Sequence, residues 1–153
     1  MSKGDFRVWL ARMLVAAVCG WNLSAALPMI LRPTDMAGSF AVAACGRGGM
    51  IMVQGLGVAF LMWQVPFVPT VWDPRHNRVT FLCLIVMQMV GLAGETLMLA
   101  SLSEGSPALR ATGLRFVAFD GAGLILLIVG YLAVHPITAA LAALSGLGAV
   151  RGG

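Results

Sequence analysis

Charge is scarce in this chain: 10% of its 153 residues are Asp, Glu, Lys or Arg, where a soluble domain carries about 25%. Apolar residues make up 59% and the mean hydropathy is +0.92. A water-soluble fold of this size cannot bury so much apolar surface, so the composition excludes a soluble domain. The apolar residues fall into four long blocks, without the short alternation of strands, and this predicts an all-α polytopic membrane protein.

Other absences exclude whole classes of function. The ten Lys and Arg residues, with a net charge of +4, stand singly at the edges of the apolar blocks. No basic run with interleaved aromatics exists, so no nucleic-acid partner is expected. The charge reads instead as membrane topology. The cysteines, Cys19, Cys45 and Cys83, form no CxxC pair, which removes the usual thiol-redox and zinc signatures, and we expect them to be free. CGRGGMIMVQGLG is rich in glycine but lacks the G-x-x-x-x-G-K-[ST] order and follows no strand. No nucleophile and base constellation is present, so no catalytic residue and no metal site is assigned. His76 in DPRHNR and His135 in AVHPI flank the spans and are expected to be solvated at the interface, not to ligate haem or pigment. No pair of broken helices or inverted repeat is evident, which places a transporter last among the readings.

What is present is four spans, at about 13–31, 48–65, 79–102 and 114–134, in one membrane domain with a short apolar tail at 136–153. A span needs about 20 apolar residues, and the tail is too short to be one. The basic head MSKGDFRVWLAR before MLVAAVCGW resembles a signal peptide, and we expect it to be retained as an uncleaved first helix. Breakers are expected at RPTD, at Pro66 and Pro69, and in the polar turn SEGSPALRAT. Trp63 and Trp72 mark an interface. With both termini cytoplasmic, Lys3, Arg7, Arg12, Arg75, Arg78 and Arg151 lie inside and Arg32, Arg47, Arg110 and Arg115 outside, as the positive-inside bias prefers. The expected location is a bacterial cytoplasmic membrane.

Depth along each span then follows from the helical rise. Asn22, Gln54, Glu95 and Asp120, one per span, all fall about 9–14 Å below the outer rim. Arg47 and Arg115 stand just above them. An isolated carboxylate in lipid is costly, so we expect the four to face inward as one polar layer, with Glu95 or Asp120 paired to an arginine. Gln88, Gly91 and Glu95 recur at i, i+3 and i+7 and share one face of the third helix. Gly20 with Ser24, and Ala118 with Ala122, form small-xxx-small pairs suited to close helix packing.

The order of ALPMILRP, GRGGMIMVQGLGVAFL, VGLAGETLM and FVAFDGAGLILL over residues 8–134 resembles the DoxX-like group of small bacterial four-helix membrane proteins. That resemblance implies a compact four-helix bundle, membrane subunits that deliver electrons to quinone in some members, and Arg47, Glu95 and Asp120 as positions of interest. The thiol chemistry of related bundles does not carry over, because the cysteine pair is missing.

Two functions follow as expectations. The leading one is a non-catalytic accessory or anchor subunit of a larger membrane complex, electron-transfer or photosynthetic, with membrane lipids and other transmembrane subunits as partners. The alternative is a protein that binds a quinone, lipid or pigment, or relays protons, through the layer of Glu95, Asp120, Arg47, Arg115, Gln54 and Asn22.

Overall fold

A computed structural model describes residues 2–102 and 106–136, so the tail from 137 onward lies outside the described residues. Helix α1 spans Lys3–Leu31 and begins ten residues before the apolar block predicts. Ser2 supplies the reason: its Oγ accepts from the Asp5 N–H at 3.1 Å while its own N–H donates to Asp5 Oδ2 at 3.0 Å. This reciprocal cap satisfies two otherwise orphaned donors and carries the helix through the basic head. The expected breaker RPTD ends α1 at the non-helical Arg32, and its Pro33 then opens the seven-residue α2, Pro33–Ser39. Proline suits the first helical turn, where its missing N–H has no intrahelical acceptor to lose. Pro107 opens α6, Pro107–Val134, in the same way, so the fourth helix starts about two turns earlier than expected.

The second span is in two pieces. A single 3₁₀ turn, Ala43–Cys45, leads into α3, Gly46–Met62; the chain then breaks and resumes as α4, Phe67–Trp72. Pro66 and Pro69 lack N–H groups, and the linking bonds, such as Gln64 N–H to Leu61 O and Phe67 N–H to Gln64 O, are of the tighter i to i−3 kind. The break is supported by side chains: Gln64 Nε2 donates to Phe60 O at 2.8 Å and Thr70 Oγ1 to Pro66 O at 2.9 Å. The third span is the continuous α5, Arg78–Ser101. Lys3–Leu31, Ala43–Trp72, Arg78–Ser101 and Pro107–Val134 are each long and apolar enough to cross a membrane. The chain is an all-α integral membrane protein, a four-helix bundle.

α1 packs between α3 and α6, and α6 packs on α5. The buried face of α6 carries Asp120, Gly123, Leu127 and Gly130 at heptad spacing, the repeat that keeps one seam against neighbouring helices. The end of the bundle holding the N-terminus and the α4–α5 turn is here the near end, and the opposite end the far end. In the near half, α4 bridges α1 and α5, and Ala11, Val15, Val18, Phe67, Phe81, Leu84 and Leu127 form one continuous apolar core. Arginines tie that end to backbone and side-chain oxygens: Arg12 donates to Trp72 O at 2.6 Å, Arg75 to Gly4 O at 2.7 Å and Arg78 to the Tyr131 hydroxyl at 2.9 Å. In the far half, α3 and α5 make almost no direct contact. The bundle is closed at one end and split at the other.

The small-residue pairs predicted from spacing do not mediate this packing. Gly20, Ser24 and Ala118 are exposed. The close approaches are at Gly57 and Gly123, where an added Cβ would lie 2.8 Å from Met29 Cβ and 2.8 Å from Gln88 Nε2, respectively.

Candidate functional site

Asp120 is the most buried carboxylate among the described residues, 8% exposed on the seam of α6. Its position follows from the heptad spacing with Gly123 and Leu127, which turns it toward α5. Gln88, buried on α5, donates its Nε2 to Asp120 Oδ1 at 2.9 Å and approaches the Asp120 carbonyl at 3.4 Å. Gly91, one turn on, leaves the room that Asp120 Oδ2 occupies, since a Cβ there would collide with it. A further turn on, the half-buried Glu95 brings its carboxyl against that of Asp120. The stripe Gln88, Gly91 and Glu95 thus meets a single residue of the facing helix.

The donors in this cluster do not match its acceptors. Gln88 serves Asp120 Oδ1, but Glu95 Oε2 is buried without a hydrogen-bond partner. No arginine completes the set: the single ion pair among the described residues is Asp73 with His76, 2.6 Å apart in the exposed α4–α5 turn. The expected pairing of Glu95 or Asp120 with an arginine is therefore not formed. Two ionised carboxylates in contact repel strongly, and a pair in an apolar setting holds together by sharing a proton. The described residues bring no third His, Cys, Asp or Glu to the pair that would make a metal site.

The remaining members of the expected layer are dispersed. Gln54, exposed on α3, donates to Ile30 O at 3.2 Å, satisfying one of the carbonyls left free at the end of α1. Asn22 is half-buried on α1, with no hydrogen bond to the pair. Arg47 is exposed at the start of α3. Arg115 is exposed one turn past Thr112, whose Oγ1 it approaches at 3.4 Å. Residue counts set an expected depth for each but not its azimuth around the helix, and azimuth decides which side chains meet.

The split between α3 and α5 is a cavity of about 510 Å³. Leu56 and Phe60 of α3, Met98 and Leu99 of α5 and Leu102 just past its end form its sides, Leu109, Gly113 and Phe116 of α6 form its back, Ser101 and Thr112 add hydroxyls, and Glu95 is its one ionisable group. An apolar cleft with one or two placed polar groups is the usual form of a small-molecule site. No family model, curated protein or solved structure matches the chain.

Both histidines sit outside this region. His76 is exposed, and its backbone and side-chain hydrogen bonds to Asp73 hold that carboxyl below the usual carboxylate range. His135 lies against Tyr131 with Nε2 3.2 Å from Pro74 O. Cys19, Cys45 and Cys83 are free. Sequence reading missed the direct Gln88–Asp120 bond, although the i, i+3, i+7 stripe carried its signal. It placed a break at Pro66 and Pro69 but missed the resumption of the chain as the helix α4.

Proposed function

We propose that this protein binds an amphiphile of quinone or lipid type, with an apolar body and a hydrogen-bonding head, in the far-half cavity between α3 and α5. The observation that carries this reading is Glu95, the single ionisable group lining a largely apolar cleft. The head of such a ligand hydrogen-bonds to Glu95 where it lines the cleft, and its body fills the space between Leu56, Phe60, Met98 and Leu102. Asp120 and Gln88 act behind Glu95: Gln88 fixes Asp120, and Asp120 fixes the proton that Glu95 shares. The far end faces the outside and both termini face the cytoplasm of a bacterial cell, in keeping with Lys3, Arg7, Arg12, Arg75 and Arg78 on the near side. The DoxX-like resemblance is proposed on its motifs alone.

The test is purification of the full chain in mild detergent, followed by lipid and quinone extraction and mass spectrometry. A single enriched amphiphile is expected in the wild type. Its retention should fall about tenfold, or about 1.4 kcal/mol, in both Glu95→Gln and the cavity-filling Leu56→Trp. A wild-type extract matching the bulk membrane lipids overturns the proposal.

An accessory-subunit role is the second reading. It is favoured by Gly20, Gly55 and Gly94, each of which faces open space in the membrane zone. Such bare backbone suits the close approach of another transmembrane helix. Stoichiometric partner chains in the same purification would support it.

A further inference from the structure

A second, smaller cavity of about 260 Å³ lies at the far end on the other side of the Phe40–Phe116 wall, between α1, α2 and α6. Its lining differs in kind from that of the α3–α5 cleft. Two arginines, Arg32 where α1 ends and Arg115 on α6, line it together with the hydroxyl residues Ser24, Ser39 and Thr112. Among the described residues neither guanidinium has a carboxylate within ion-pair distance, and Asp35, the acid closest in sequence to Arg32, pairs with neither. Thr112 holds the site's geometry by donating its Oγ1 to Ser39 O at 2.8 Å, which fastens α2 to α6, and Arg115 Nη2 lies 3.4 Å from the same oxygen.

Two like charges lining one cavity, both exposed at the far end of the bundle, repel each other. An anion between them offsets that repulsion. The guanidinium fork matches the oxygens of a phosphate in a bidentate manner that an ammonium does not. We infer that the Arg32–Arg115 cavity is an anion site that takes a phosphate group, presented either by a phospholipid headgroup of the far leaflet or by free phosphate. The inference rests on the two arginines lining the cavity and stands whether or not the Glu95 cleft binds a ligand.

Native mass spectrometry of the full chain separates the two sources. Wild-type protein is exposed in turn to phosphatidylglycerol, to phosphatidylcholine and to inorganic phosphate, beside Arg32→Gln/Arg115→Gln and a control, Arg47→Gln/Arg110→Gln, that removes the same charge elsewhere at the far end. The expected result is an adduct retained by wild type and control and weakened at least tenfold in the cavity variant. Retention of phosphatidylglycerol over phosphatidylcholine assigns the headgroup, and retention of phosphate alone assigns the free ion. If the cavity variant unfolds, Arg32→Lys/Arg115→Lys keeps the charge and removes the fork, and should lose several-fold in retention. Equal retention by wild type and cavity variant, or no adduct with any probe, overturns the inference.

Discussion

At the scale of single residues, the site depends on a hydrogen-bond ledger that does not close within the protein. Gln88 is the one donor reaching the carboxyl pair, so Gln88→Leu leaves Asp120 Oδ1 unpartnered while keeping the side chain's approximate volume. Loss of a buried bond to a charged or proton-sharing group costs about 1–2 kcal/mol. The variant should therefore unfold at a lower temperature in detergent, read by circular dichroism, and an unchanged midpoint would remove Gln88 from the site. Glu95→Gln behaves differently, because its amide brings a donor of its own to Asp120. It should leave the midpoint near that of the wild type while weakening ligand retention. The two variants thus separate what holds the pair from what the pair binds.

At the scale of elements, the second span is the one that departs from a plain helix, and the departure makes the cleft. α3 stays against α1 while α4 moves across to α5, and the break at 63–66 is the joint between them. α3 is held by close approach at Gly57, where a side chain would press on Met29 Cβ and on Ala26 O at 3.0 Å. Gly57→Leu should force α3 off α1 at a cost of about 1–3 kcal/mol, the range for overpacking a tight contact. Thermal unfolding checks it, and a stability equal to the wild type would mean that α3 is not seated there. Hydropathy made the four spans legible, because length and apolarity are properties of the chain itself. It could not show that helices run past the apolar blocks at Lys3 and Pro107, where a capping box and a first-turn proline decide. Nor could it show the helix that resumes after the break. In the candidate site, Glu95, Asp120 and Gln88 were legible because period and depth coincided on two helices that touch. The arginines were not, since a long flexible side chain above the layer can reach in several directions and residue counts do not choose among them.

At the scale of the whole molecule, the near end is tied by Arg12, Arg75 and Arg78, and the far end carries the α2 segment, both cavities and the exposed Cys45. Cys45 is a native reporter of the proposed orientation. A membrane-impermeant maleimide applied to intact cells should label it, while Cys19, half-buried in α1, and Cys83, on the lipid-facing side of α5, stay unlabelled. Labelling only after the cells are opened would reverse the orientation and place both cavities at the cytoplasmic face.

Because α4 closes one half of the bundle and the gap between α3 and α5 leaves the other half open sideways, the route to Glu95 runs through the leaflet and not through water. A ligand that uses it arrives by diffusing in two dimensions among acyl chains. Occupancy then follows the ligand's partition coefficient and its concentration per unit of membrane area, so compounds with the same head but longer tails should compete better at equal aqueous concentration.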